Sequence, residues 1–164
     1  MIAAPDYVDP LVGWRVWTAA RGGRRFRLLS VVYPSLWTPN APLVSTCLRG
    51  RMLWRRGHEA PSWNCDCGIY AARDAGTAAE FLRRFPNKGG NLRVIGRVRL
   101  WGRVVESAGG WRASHAYPDE LYVPTAGSRL ADPGEVVHDL DDYEIPVSAL
   151  SVDELAAALV TEPR

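Results

Sequence analysis

Between Cys47 and Cys67 the chain carries all three of its cysteines and one of its three histidines, in the order Cys47, His58, Cys65, Cys67. Thiolate sulfur and imidazole nitrogen are the donors that zinc takes, and four protein ligands make the closed, structural type of site. Any fold of this chain has to bring those four positions together if the set is to work. From Arg49 to Asn64 the sequence offers Gly50, Gly57, Pro61 and four arginines, with no apolar periodicity. An irregular connection of that length is uncommon in a compact domain unless something pins it. A metal ion held by Cys47, His58, Cys65 and Cys67 is the pin the sequence supplies.

Cys65 and Cys67 stand two apart, so on an extended segment both side chains point to one face, and Gly68 permits a bend after them. Cys47 comes from a preceding strand and His58 from the loop. Three thiolates and one Zn²⁺ leave a formal charge of about −1, which Arg49, Arg51, Arg55 and Arg56 are placed to offset. Two other readings of the same residues stand beside this one: buried reduced cysteines, and a reactive thiol paired with His58 or His115. A zinc deaminase does not fit. Its signature needs H-x-E and P-C-x-x-C, whereas His58 and Glu59 are adjacent and the cysteines read C-x-C.

A chain of 164 residues suits one domain. The expected division is an N-terminal extension over residues 1–12 and a single α+β domain over 13–164. No apolar run approaches the roughly 20 residues of a membrane-spanning helix, so no membrane association is expected. The N-terminus lacks a basic segment followed by an apolar one, which points to the cytoplasm and to reduced cysteines. Charge is unevenly spread: residues 1–112 carry 18 basic and 7 acidic side chains, and residues 113–164 carry 2 and 11. Either the acidic part folds back on the basic body, or part of the basic surface meets an anionic partner such as nucleic acid.

Short strands separated by glycine and proline turns set the fold class. Trp14 to Trp17 alternates as a half-buried strand, Arg21-Gly22-Gly23-Arg24 reads as a turn, and Phe26 to Val32 returns. Leu43 to Leu48 is a further strand delivering Cys47, and Ile69 to Ala72 a short buried piece. Two capping boxes open helices, one from Thr77 through Phe85 stopped by Pro86, the other from Ser151 through Val160 with Val152, Leu155 and Leu159 as its stripe. Thr125 to Gly134 reads as a loop, and His138 to Glu144 as a solvated acidic run. The expected architecture is α+β: a mainly antiparallel curved sheet or partly open barrel with two helices and a zinc-pinned loop.

Residues 93–106 give the clearest strand, with Val94, Val98, Leu100 and Val104 on one face and Arg97, Arg99, Trp101 and Arg103 on the other, around a bulge at Gly102. Ser107 to Gly110 turns the chain into a strand from Trp111 that ends at Pro118. Guanidinium groups flanking an indole are what hold single-stranded nucleic acid, through phosphate contacts and base stacking. Arg97, Arg99, Trp101, Arg103, Trp111 and Arg112 are therefore the candidate ligand face. Against that, Trp101 can equally be core, with the arginines paired to the acidic C-terminal segment.

The motifs C-D-C-G-I-Y-A at 65–71, G-R-V-R-L-W-G-R-V-V-E at 96–106 and G-W-R-A-S-H-A-Y-P at 110–118 follow one another in an order that resembles a group of uncharacterised bacterial proteins. The resemblance implies a shared domain over about residues 13–124 and assigns no activity and no functional residue. The leading expectation is a non-enzymatic, zinc-stabilised binding module with nucleic acid as its first candidate partner. A protein-interaction or regulatory role through the acidic segment and terminal helix is the second, and a small cysteine- or histidine-dependent enzyme is the third.

Overall fold

The computed structural model describes residues 10–47, 58–85, 87, 89–125 and 131–160. In chain order it forms β1 (Leu11–Gly22), β2 (Arg25–Ser30), β3 (Leu36–Trp37), β4 (Leu43–Val44), β5 (Ile69–Ala72), α1 (Ala75–Arg84), β6 (Leu92–Ser107), β7 (Gly110–Pro124), α2 (Pro133–Leu140), a 3-10 turn (Asp141–Tyr143), β8 (Val147–Leu150) and α3 (Val152–Val160). The fold is α+β, with eight strands in one mostly antiparallel sheet. Expected positions at Arg49, Arg51, Arg55 and Arg56, the helix stop at Pro86, and most of the N-terminal extension lie outside the described residues.

The long strand β6 lies between β1 and β7. On its other edge β1 carries β2 and, through the single pair Trp14↔Ala72, β5. The edge of β7 away from β6 carries β5, then β4, then β8 in series, β8 alone running parallel to it. The path β6–β1–β5–β7–β6 returns on itself, so the sheet is partly ring-like without being a barrel.

The two sides of this sheet bury two clusters. Trp17, Phe26, Leu28, Trp37, Val98 and Leu100 belong to the larger one, which Val136, Leu140 and Tyr143 close from the α2 side. Trp14, Val16 and Ile95 project the other way, against Ala75 and Ala78 of α1 and Leu155 of α3. Successive residues of β1 thus serve opposite clusters, as the period of two in a strand requires. The helix-opening box at Ser151 is present: the Ser151 amide donates to the Glu154 carboxylate at 2.8 Å and the Glu154 amide donates to Ser151 Oγ at 3.2 Å. The side chains of Val152 and Leu159 lie outside those described.

Four local expectations need correction. Helix α1 starts at Ala75, because the Asp74 carboxylate caps it and accepts from the Thr77 amide at 2.8 Å, which leaves Thr77 inside the first turn. Pro118 does not end β7; it pairs with Val98 at a register shift where Asp119 is the extra residue, and a bulge tolerates a proline that cannot donate. The stretch 125–134 is not loop throughout, since Asp132 caps α2 and Pro133 occupies its first position. The run 138–144 is not solvated throughout, because α2, a helix beyond the two expected, takes in its start and Asp139 is buried, accepting from the Phe26 amide at 2.8 Å.

The charge asymmetry resolves within the domain. Arg21 pairs with Glu135 at 2.6 Å, and Arg25 and Arg27 both pair with Asp142, at 3.0 and 2.9 Å. The acidic C-terminal part folds back on the basic N-terminal hairpin. Among the described residues, no helix is long and apolar enough to cross a membrane.

Candidate metal centre

The serial arrangement on β7 creates the site. β4 pairs through Leu43↔Ala116 and Val44↔His115, and β5 through Ile69↔Ala113 to Ala72↔Gly110, so both run antiparallel to β7 and the end of one faces the start of the other. Cys47 follows the end of β4, and Cys65 and Cys67 precede the start of β5. Two segments distant in sequence are thereby delivered to one point.

One ligand atom from each of Cys47, His58, Cys65 and Cys67 lies within 4.8 Å of all the others. The Cys47 and Cys65 sulfurs are 3.7 Å apart, and His58 Nε2 lies 3.3 Å from the Cys67 sulfur. The first distance is far beyond the roughly 2.05 Å of a disulfide, and all three cysteines are free thiols. Cys65 is buried, Cys47 and Cys67 are half-buried, and His58 is exposed. The four side chains are close enough to hold one metal ion. The sequence pattern had named all four.

The backbone is shaped to this end. Cys65 donates its amide to the Ser62 carbonyl at 3.2 Å, making a turn through Trp63 and Asn64. Gly68 has a φ of 122°, a conformation that side chains oppose, and it redirects the chain into β5. Burial pushes the Cys67 thiol up from its ordinary value, and the sulfurs of Cys65 and Cys47 push the same way, while a backbone hydrogen bond at Ser62 opposes them. A divalent cation bound at this point would reverse that preference for Cys67.

The six residues of the expected ligand face do different things. Arg97 pairs with Glu120 at 2.8 Å and with Asp119 at 3.5 Å, and Arg99 pairs with the same Asp119 at 2.6 Å. Arg103 binds the Glu59 carboxylate and donates to the Glu59 carbonyl at 3.2 Å, tying down the residue after His58. Arg112 donates to backbone carbonyls of the cysteine segment, including that of Cys67 at 2.9 Å. Trp111 packs against the larger core cluster under the Arg73 guanidinium, 4.6 Å from its ring. Trp101 is half-buried and stacks on His115, its partner across the strands, with ring centroids 6.0 Å apart.

Asp119 and Glu120 were missed as partners of Arg97 and Arg99. Reading the strand as continuing through Pro118 places them opposite those arginines, so the signal was present. Ser114 Oγ and His115 Nδ1 are 2.8 Å apart. Among the described residues no carboxylate orients that imidazole, so the pair lacks the third member of a nucleophile–base–acid arrangement. Compared with family models, curated proteins and solved structures, the chain matches none.

Proposed function

We propose that this chain is a non-enzymatic binding module stabilised by a structural zinc ion at Cys47, His58, Cys65 and Cys67. The donor set carries the reading. A tetrahedral zinc has edges of about 3.8 Å between sulfurs and about 3.5 Å between sulfur and nitrogen, from its usual bond lengths, against 3.7 and 3.3 Å between the atoms here. Four protein donors leave no coordination position for water, which supports a structural role for the ion over a catalytic one. Native mass spectrometry is expected to find one zinc ion per chain, lost in Cys65→Ser. A stably folded wild type free of metal after expression in zinc-replete medium refutes the reading.

For the ligand, single-stranded nucleic acid is the class we favour. Its support is the outward row Val44, His115 and Trp101, cross-strand partners on one face of the sheet, with exposed Trp63 and Tyr70 on neighbouring segments. Aromatic surfaces in the open are where unpaired bases stack. Because Arg97, Arg99 and Arg103 already have carboxylate partners, stacking supplies more of the binding than phosphate contact does. A labelled single-stranded oligonucleotide is expected to bind at low salt, and Trp101→Ala to weaken that binding about tenfold, within the range for one stacked base. Absence of binding at low salt removes the nucleic-acid reading and leaves the zinc reading standing. A protein partner using the acidic segment has less support, since Glu135 and Asp142 are engaged by arginines of their own domain.

A further inference from the structure

Resting on the zinc reading above, we propose that Arg112 and Tyr70 form an outer cage that sets the affinity of the metal centre by holding the Cys65–Cys67 backbone from behind. Arg112 Nη1 donates to the carbonyls of Cys65, Cys67 and Ser62, the last two at 2.9 and 3.4 Å. The Tyr70 hydroxyl donates to the Asp66 carbonyl at 2.7 Å. Every carbonyl from Cys65 to Cys67 is thus taken by one of two side chains. These two residues are themselves partners across the β5–β7 ladder, with the guanidinium 5.8 Å from the centre of the Tyr70 ring. The cage is therefore anchored in the sheet.

The need for it follows from strand geometry. On a regular strand, α-carbons two apart lie about 6.7 Å from each other, well beyond the about 3.8 Å between sulfurs on a zinc ion. The sulfurs of a C-x-C pair reach one metal only when both side chains lean toward each other, so the conformation of the segment between them matters. Holding the carbonyls of Cys65 and Cys67 on a single nitrogen of Arg112 restricts that conformation. The guanidinium also lies against a centre whose formal charge, with three thiolates and one Zn²⁺, is about −1. Residues that orient ligands from behind typically change metal affinity by about 10- to 100-fold when removed.

The experiment is competition for zinc against a chromophoric chelator in the wild type, Arg112→Met, Arg112→Lys and Tyr70→Phe, with the absorption spectrum of each cobalt-substituted protein as the second readout. Arg112→Met is expected to lose about 10- to 100-fold in zinc affinity, with a shifted cobalt ligand-field spectrum; Arg112→Lys keeps the charge and recovers part of the loss, and Tyr70→Phe gives a smaller loss in the same direction. Folded variants whose zinc affinity stays within twofold of the wild type, with unchanged cobalt spectra, overturn the inference while the metal reading survives. If Arg112→Met does not fold, Tyr70→Phe decides by itself, and unchanged affinity there overturns it. A wild type that binds no zinc removes the metal reading and this inference together.

Discussion

The Ser45 amide donates to the Ser114 carbonyl at 2.8 Å, at the step of β7 between its pairing with β5 and its pairing with β4. That bond fixes the gap in which the ligands collect, since Cys47 lies two residues beyond Ser45. The excursion from Cys47 to Cys67 consequently starts and ends at one place on the sheet, and a metal there closes a loop. Closing a loop of such length stabilises a fold by about 3 kcal/mol when judged by the disulfide analogy. Chelation should lower the unfolding free energy by about that amount while the core around Trp17 and Trp37 stays folded. Urea titrations followed by tryptophan fluorescence, with and without chelator, measure it, and a midpoint unmoved by complete metal removal contradicts it.

Gly68 is the backbone position most sensitive to substitution at this site. A β-carbon there would lie 3.0 Å from Pro61 Cβ and 3.1 Å from Arg112 Cβ, in addition to the strain of a φ of 122°. Gly68→Ala is expected to cost about 1–3 kcal/mol and to weaken metal binding. Gly109→Ala is the control, because nothing lies within 4 Å of a β-carbon there; its effect should stay within about 0.5 kcal/mol. Equal stability of the two variants would argue against the tight backbone.

Tyr143 links the C-terminal part to the hairpin. Its hydroxyl donates to the Trp37 carbonyl at 2.5 Å and accepts from the Leu28 amide at 3.0 Å, in a position shielded from water. Burial pushes its ionisation up to about 12 from a usual 10. The folded protein thus holds this proton where the unfolded chain releases it, so the contribution is complete below pH 10 and declines as pH rises toward 12. The slope from this group approaches about 1.4 kcal/mol per pH unit at most. Tyr143→Phe should flatten that alkaline slope and cost about 1–3 kcal/mol at neutral pH by leaving two buried backbone groups unpaired. Denaturation midpoints between neutral pH and pH 12 are the check, and an unchanged slope in the variant would remove Tyr143 as its source.

Asp142 serves two arginines at once, Arg25 and Arg27. Asp142→Asn should destabilise the protein by about 0.5–1 kcal/mol at low ionic strength, and by less in high salt, as partly exposed pairs do. Thermal melts at two salt concentrations give the comparison. A loss that does not depend on salt would mean that packing, and not charge, holds the acidic segment in place.

Much of this was readable from residue order, and the failures share a cause. The four clustered donor residues, the bulge at Gly102 and the Ser151–Glu154 cap are encoded locally, in residue type and spacing. The partners of Arg97 and Arg99 depend on which strand lies beside β6 and in what register, and reading Pro118 as an end point hid Asp119 and Glu120. Arg112 looked like a surface cation because its alternation is that of an outward position; only the meeting of β5 with β7 shows that the cysteine backbone lies within its reach. The start of α1 was misplaced because Asp74 and Thr77 are both good caps, and nothing local ranks one over the other.

β7 pairs with β4, β5, β6 and β8. During synthesis three of those four strands leave the ribosome before their common partner exists. Cys47, Cys65 and Cys67 emerge early, and the strand edge that assembles them arrives more than forty residues later, about two to ten seconds on at ordinary elongation rates. The strand edge that brings these four side chains together is therefore a late addition to the nascent chain.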